Sequence, residues 1–209
     1  MPRSRLNHGV PDSAVPRHAQ VPFDSFQALA VTGRLTAGSA RYLALHDELT
    51  LLPNREYFRA ALELALRRSA PSRQALAVFH LSINLVDFKP SIDAHGTAAC
   101  DDLLRRIAGR LALAPRAEDM LCRLEDDQFA CLVPGLSGRE QLSDRANRLL
   151  EAVPFPLRIG ITQLCINPSI GIAVYPADGA SAERLLANAE FAVRRAKRRD
   201  ASVTFIDEG

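Results

Sequence analysis

The length, composition and charge of the chain already exclude several classes of protein. Its 209 residues suffice for one domain with an attachment or for two small domains. A composition of 47% hydrophobic and 24% charged residues is typical of a globular protein and excludes a disordered chain or a membrane protein. Because the formal net charge is only +2, the composition does not favour DNA as a partner.

Apolar runs and cysteines indicate the compartment. No apolar run approaches the roughly 20 residues that cross a bilayer, and the N-terminal residues lack the apolar stretch of a signal peptide. These features predict a cytoplasmic protein with no membrane segment in this chain. The cysteines show no CxxC pairing and no metal-ligand spacing, so we expect reduced and buried thiols at Cys100, Cys122, Cys131 and Cys165.

The first 45 residues differ from the rest of the chain. Four prolines and few apolar residues predict a flexible segment over residues 1–22. Apolar residues then recur at helical spacing, interrupted by Gly33 and Gly38, which predicts a helical linker over residues 23–45. A linker, a dimerisation element and a loose tail all fit this part of the chain.

From residue 46 onward, helix-like and strand-like hydrophobic patterns alternate. This alternation, with one hairpin, predicts an α/β or α+β domain over residues 46–209. In chain order the patterns predict a helix at 56–68, a strand at 77–85, a helix at 101–113, a hairpin with strands at 120–124 and 129–133, a helix at 142–153, a strand at 164–175, a helix that Ser181 caps and that runs to Lys197, and a strand at 203–206.

Four segments, in consistent order and spacing, carry a resemblance to a known family. They are the run HDELTLLPNR at residues 46–55, the pair Phe88-Lys89, the run SIGIA at 169–173 and the run AEFAVRRAK at 189–197. These segments resemble the motifs of GGDEF domains, the diguanylate cyclases, which join two GTP molecules into cyclic di-GMP. The resemblance implies an α+β palm of the nucleotide-cyclase type, with a mainly antiparallel sheet of βαββαβ order flanked by helices.

The resemblance places the family's name motif at the predicted hairpin turn, where this chain reads Glu125-Asp126-Asp127-Gln128-Phe129. Glycine at the first two positions lets the backbone approach a phosphate closely, whereas Glu125 and Asp126 should crowd and repel a triphosphate. Asp127 keeps a carboxylate as a weak metal candidate, and Gln128 replaces the usual acid. From the residues alone, positions 125–127 also fit a solvated acidic turn.

Other positions of the family's site depart from its pattern as well. The first metal-ligand aspartate corresponds to Asn84, and the guanine-reading asparagine corresponds to Ile92, which cannot hydrogen-bond a base. Asp101, Lys89 and Lys197 keep the family's residue types and could form a residual nucleotide site. Among the 26 basic residues, Lys89 and Lys197 are the two lysines and the other 24 are arginines.

Many family members carry an Arg-x-x-Asp inhibitory site, the I-site, five residues before the name motif, and this chain has Arg116 and Asp119 at that spacing. Because arginine is abundant, the spelling alone carries little weight, and a second instance runs from Arg123 to Asp126. The position of the first instance is what implies a cyclic di-GMP site. An ordinary surface ion pair between Arg116 and Asp119 is the alternative.

The resemblance therefore implies a degenerate, catalytically inactive GGDEF domain that acts as a regulatory receptor for cyclic di-GMP in bacterial second-messenger signalling. We expect no required cofactor, and Mg²⁺ only if residual GTP binding exists. The alternatives are a weakly active cyclase, or a nucleotide-independent module that dimerises or regulates a phosphodiesterase partner of the EAL type. A homodimer is possible under each hypothesis. The arginine-rich end of the helix at residues 194–199 fits a solvated role better than nucleic acid binding.

Overall fold

The computed structural model describes residues 42–71, 74–85, 96–136, 138–153, 156–159, 162–164 and 166–207. The chain divides into two units, Met1–Ala37 and Gly38–Gly209, and every described residue belongs to the second. The flexible segment predicted over residues 1–22 lies outside the described residues, as does most of the predicted linker. Residues 42–45 are helical.

Helices and strands alternate through the described residues. The helices are α1 (Arg55–Ser69), α2 (Thr97–Leu111), α3 (Arg139–Ala152) and α4 (Ala182–Arg199). The strands are β1 (Leu76–Ser82), β2 (Met120–Glu125), β3 (Gln128–Pro134), β4 (Leu157–Ile159), β5 (Thr162–Leu164), β6 (Ser169–Tyr175) and β7 (Val203–Phe205).

A five-stranded sheet in the order β2-β3-β1-β6-β7 forms the centre of this unit. β1 lies in the middle and pairs antiparallel with both β3 and β6. β2 pairs antiparallel with β3, whereas β7 lies parallel to β6. The sheet is therefore mainly antiparallel, and the predicted α+β fold is confirmed.

Helices cover both faces of the sheet. All seven residues of β1 are buried, and because successive side chains of a strand point to opposite faces, they contribute to two cores. Phe79 packs in one core with Leu103 of α2 and with residues of α3. Val78 belongs to the other core, together with Phe58 of α1 and Leu185 of α4.

Side-chain caps set where two of the helices begin. Asn54 accepts a hydrogen bond on Oδ1 from the Tyr57 amide at 3.0 Å and thereby starts α1. Ser181 accepts one on Oγ from the Arg184 amide at 3.2 Å and starts α4, which is the cap that the sequence predicts. Asp200 ends α4 in the left-handed conformation.

The continuous strand predicted over residues 164–175 is wrong. Residues 166–168 separate β5 from β6, and β5 pairs with β4 in a small antiparallel sheet that the hydrophobic pattern does not predict. Pro168 has no backbone N–H to donate to a sheet, which agrees with β6 beginning at the next residue. The strand predicted to reach Leu85 also ends early, at Ser82, because Asn84 adopts a left-handed φ of 66°.

Gly171 allows β6 and α4 to pack closely. A Cβ atom at this position would lie 2.2 Å from the Ala189 carbonyl oxygen and 2.4 Å from the Val193 amide nitrogen. No side chain fits at such distances, so the glycine of the SIGIA run is required by the contact between strand and helix.

The described cysteines form no disulfide, and two of the three are buried as expected. Cys122 and Cys131 are buried and Cys100 is partly buried, while Cys165 lies outside the described residues. Burial raises the pKa of the Cys122 and Cys131 thiols, so neither is a reactive thiolate near neutral pH. Within the residues that the structure describes, no helix is both long enough and apolar enough to cross a membrane.

Candidate functional site

The hairpin between β2 and β3 brings the acidic turn against the end of β1. Gln128 lies opposite Ser82 in the sheet, and the Ile83 amide donates to the Asp127 carbonyl at 3.1 Å. Asp126 occupies the turn with a φ of 40°, in the left-handed region where glycine is favoured. The backbone therefore keeps a glycine-like conformation at a position that now carries a carboxylate.

The three acids of the turn are not equivalent. Glu125 and Asp126 are exposed, whereas Asp127 is 6% exposed. Asp127 accepts a hydrogen bond from the Leu85 amide on Oδ2 at 2.7 Å, which ties the turn to the residues after β1. The interpretation of residues 125–127 as a solvated acidic turn is therefore wrong for Asp127, because its carboxylate is buried and accepts a backbone hydrogen bond.

Asn84 uses both ends of its amide within the protein. Its Oδ1 accepts from the Ser82 hydroxyl at 3.0 Å. Its Nδ2 donates to the Asn167 carbonyl and lies 3.5 Å from the Ser169 hydroxyl oxygen. These contacts hold the left-handed Asn84 in place and link the end of β1 to the start of β6.

Two arginines hold the outer side of the turn. Arg123 donates from Nε and Nη2 to the Asp126 carbonyl, at 3.1 and 2.7 Å, and from Nη1 to Asp47 at 2.9 Å. Arg55 forms an ion pair with Glu125 at 2.9 Å, with both side chains about half exposed. The opening run at residues 46–55 thus braces the turn, through Asp47 from its first half and Arg55 at its end.

The carboxylate of Asp47 is a shared acceptor in this brace. Its Oδ1 accepts from the Thr50 amide at 2.8 Å and from the Thr50 hydroxyl at 2.6 Å, besides Arg123. Partial burial acts to raise the pKa of Asp47, but the hydrogen bonds from Thr50 and Arg123 outweigh it and hold that pKa below its usual value. Asp47 is therefore ionised when it binds Arg123 at neutral pH.

A second polar cluster lies at the start of β2. Asp119 accepts on Oδ2 from the Arg116 amide at 2.9 Å and from the Arg145 guanidinium at 2.5 Å. The side chains of Asp119 and Arg145 are only 2% and 6% exposed. The second oxygen of Asp119, Oδ1, is buried and has no hydrogen-bond partner.

The side chain of Arg116 takes no part in that ion pair. It is half exposed and its nearest carboxylate is Glu118, at 3.8 Å. The surface ion pair between Arg116 and Asp119 considered as the alternative is therefore wrong, because Asp119 is buried and its charged partner is Arg145. The side chain of Arg116 is therefore half exposed, while its amide donates to the buried acid.

Comparisons with known proteins agree with this architecture. A family model described as "Diguanylate cyclase, GGDEF domain" matches residues 44–202, which is most of the chain. The chain belongs to the GGDEF domain family. Its sequence is 39% identical over 160 residues to an uncharacterized signaling protein of Caulobacter vibrioides, and 36% identical over 155 residues to MucR of Pseudomonas aeruginosa, a bifunctional diguanylate cyclase and cyclic di-GMP phosphodiesterase.

This chain matches a small part of each of these relatives but nearly all of a solved GGDEF domain. The matches span 75% and 74% of this chain but only 19% and 22% of the two relatives, so the chain spans about a fifth of their length. The isolated GGDEF domain of TpbB from Pseudomonas aeruginosa superposes with a TM-score of 0.70 at 32% identity. That match covers 78% of this chain and 94% of the solved domain.

The residues at GGDEF motif positions are only partly brought together. Asp127 accepts from the amide of Leu85, the residue after Asn84, while Asp101 lies half-buried on α2 and Lys197 lies exposed in the last turn of α4. Lys89 and Ile92 lie outside the described residues. Within the described ranges, no three His, Cys, Asp or Glu side chains converge in a way that could hold a metal ion.

Arg145 is the site residue that the sequence analysis missed. It lies 26 residues beyond Asp119, on another element, and nothing in a chain with 24 arginines distinguishes it by residue type. A signal was nevertheless present, because Leu142, Ala146 and Leu149 define the buried face of α3 and helical spacing puts Arg145 on that face. A charged residue on an apolar helix face needs a buried partner.

Proposed function

We propose that this GGDEF domain binds cyclic di-GMP at a site formed by Arg116, Asp119 and Arg145, and that it does not synthesise the dinucleotide. The observation that carries the proposal is the state of the second cluster. A buried carboxylate keeps one unpartnered oxygen, and the side chain of Arg116, whose amide donates to that carboxylate, is half exposed with Glu118 at 3.8 Å.

The chemistry of these groups matches the edges of a guanine nucleotide. A guanidinium can donate two parallel hydrogen bonds to guanine O6 and N7 or to a phosphate, and a carboxylate can accept from guanine N1–H and N2–H. Leaving a buried acceptor unpaired costs about 1–3 kcal/mol, so a ligand that donates to Asp119 Oδ1 would relieve that cost. Because Asp119 is almost fully buried, binding requires the 116–118 turn to move outward.

Several observations support the absence of synthesis. The amide of Asn84 is engaged at both ends within the protein, and Asp127 already accepts a backbone hydrogen bond. Two metal ions that neutralise a triphosphate would therefore find a single carboxylate, Asp127, at these two positions. Glu125 and Asp126 add negative charge where the phosphates of a substrate would lie. Mg²⁺ would matter only for residual GTP binding through Asp127.

A second candidate function is an interaction module that acts without nucleotide. The burial of Asp119 and Arg145 favours it, since a closed ion pair can be purely structural. The length of the relatives favours it too, because MucR combines cyclase and phosphodiesterase functions and this chain matches only 22% of it. The partner would then be an EAL-type phosphodiesterase domain or a second copy of this chain, acting in the cytoplasm.

Calorimetry with cyclic di-GMP tests the receptor proposal. We expect saturable binding by the unmutated chain, and Arg116→Ala should weaken it about tenfold to a hundredfold, the equivalent of a charged hydrogen bond. Arg148→Ala, which removes an exposed arginine of α3, is the matched control and should leave binding unchanged. Absence of binding by the unmutated chain would reject the receptor function and leave the interaction module.

Incubation with GTP and Mg²⁺ or Mn²⁺ tests the absence of synthesis. We expect no cyclic di-GMP product from the unmutated chain and none from Asn84→Asp, because Glu125, Asp126 and Ile92 remain. Turnover near 1 per second or faster by the unmutated chain, in the ordinary range of enzymes, would overturn the inactive assignment. Robust synthesis by Asn84→Asp alone would show that the acidic turn matters less than proposed.

A further inference from the structure

His80 lies in the middle of β1 and is only 3% exposed. Its neighbours across the sheet are Ala130 on β3 and Gly171 on β6, neither of which carries a polar side chain. Because side chains alternate along a strand, His80 lies on the same face as Val78, the face that α1 and α4 cover. A histidine in this position is buried between the sheet and these two helices.

Gln128 is the side-chain hydrogen-bond partner of this histidine. The Nε2 atom of His80 lies 2.9 Å from Oε1 of Gln128, so Nε2 carries the proton and donates. In the neutral ring the other nitrogen, Nδ1, then holds a lone pair. Nδ1 is buried and has no hydrogen-bond partner. Gln128 is also the residue that immediately follows the acidic turn.

Three charged groups on the surrounding elements influence the pKa of His80. They are Arg55 on α1, Glu125 at the turn and Glu190 on α4. Burial is the largest influence and lowers the pKa of His80, and Arg55 lowers it further. Gln128, Glu190 and Glu125 only partly oppose this shift. Each glutamate is already paired with an arginine, Glu125 with Arg55 at 2.9 Å and Glu190 with Arg194 at 2.7 Å.

We propose that His80 and Gln128 form a proton-operated switch that couples the acidic turn to α1 and α4. A proton taken from solvent binds Nδ1 and creates an N–H donor in a buried place that has no acceptor. Glu125 and Glu190 are the carboxylates whose charge favours the protonated ring, and each is held by an arginine. The positive ring also repels Arg55. Acidification therefore weakens the Arg55–Glu125 contact that braces the turn, because the charged ring repels Arg55 and attracts Glu125.

The direction of the pH dependence follows from the neutral state of the buried ring. The folded chain holds His80 neutral to a lower pH than the unfolded chain, whose histidine titrates near pH 6.5. The contribution of the neutral His80 ring to the free energy of unfolding is therefore complete above about pH 6.5, and it is lost as the pH falls toward the folded-state pKa of His80. Within that window the folding equilibrium constant decreases by up to about tenfold per pH unit, the effect of one proton.

The experiment is urea unfolding of the full chain between pH 5 and pH 8, with direct NMR observation of the His80 ring nitrogens. We expect the unmutated chain to lose stability below about pH 6.5. His80→Gln should flatten that part of the profile. Gln128→Glu should abolish or reverse it, because a carboxylate beside the ring favours the charged form. Gln141→Glu, the same change at an exposed site on α3, should keep the profile of the unmutated chain.

Two results would overturn the switch. One is a pH profile of Gln128→Glu that runs parallel to those of the unmutated chain and of Gln141→Glu. The other is NMR titration of His80 in the unmutated chain at the pKa of a free imidazole. Both remain measurable if His80→Gln does not fold, since neither depends on that variant.

Discussion

Replacing Arg145 by alanine leaves the Asp119 carboxylate buried without its charged partner. The two side chains are 6% and 2% exposed and lie 2.5 Å apart, so solvent screens their attraction little. Removing one partner of such a buried pair costs about 3–5 kcal/mol. Asp119 retains the hydrogen bond from the Arg116 amide at 2.9 Å, so we expect a loss near the lower end, about 3 kcal/mol.

Urea unfolding of the full chain, followed by far-UV circular dichroism, measures this loss. Arg148→Ala on the exposed side of α3 is the matched control and should change the free energy of unfolding by less than about 0.5 kcal/mol. The double variant Arg145→Leu with Asp119→Leu should recover most of the loss, because it removes both buried charges. If Arg145→Ala is as stable as Arg148→Ala, or if the double variant is no more stable than Arg145→Ala, then the Arg145–Asp119 pair is not the source of this stability.

Five further substitutions, two of them controls, test the packing of β6 on α4 and the bracing of the turn, each by the same unfolding measurement. Gly171→Ala should lower the free energy of unfolding by more than about 4 kcal/mol, or prevent folding, because the added methyl group meets the α4 backbone. The control Gly109→Ala has open space around it and should raise the free energy of unfolding by about 0.5–1 kcal/mol through a more stable α2. Arg123→Ala should lower the free energy of unfolding by about 2–3 kcal/mol, because it removes charged hydrogen bonds. Arg55→Ala should lower it by less than about 1 kcal/mol, because the Arg55–Glu125 ion pair is half exposed. Asp47→Asn should flatten the acid limb of the stability curve, since the lowered pKa of Asp47 contributes stability above about pH 4 that is lost as the pH falls. Equal losses for Arg123→Ala and Arg55→Ala would contradict the assigned brace.

The fold could be predicted from the sequence because hydrophobic periodicity and family motifs point to the same arrangement. The strand around Phe79 and the helix capped by Ser181 are set by local patterns, which a single sequence displays. The small β4–β5 sheet escaped prediction because its strands are three residues long, too short for periodicity to register. The early end of β1 depends on the contacts of Asn84 with residues about 80 positions away.

The site was predictable in its residue types and less so in its geometry. The motif positions identified Asp119 and Asp127, but not that both carboxylates are buried. Burial depends on which elements cover a residue, so the pairing of Asp119 with Arg145 and of Asp127 with the Leu85 amide became visible only in three dimensions. The unpaired Nδ1 of His80 has no local sequence signal at all, since it results from what neighbouring strands and helices do not offer.

Amide NMR of the isotope-labelled full chain, titrated first with cyclic di-GMP and then in a separate sample with GTP and Mg²⁺, tests the central claim most directly. We expect cyclic di-GMP to shift the signals of residues 116–119 and of α3 around Arg145, and GTP to leave the signals of the turn at residues 125–128 unchanged. Unchanged signals with cyclic di-GMP, or saturable shifts at the turn with GTP, would contradict it.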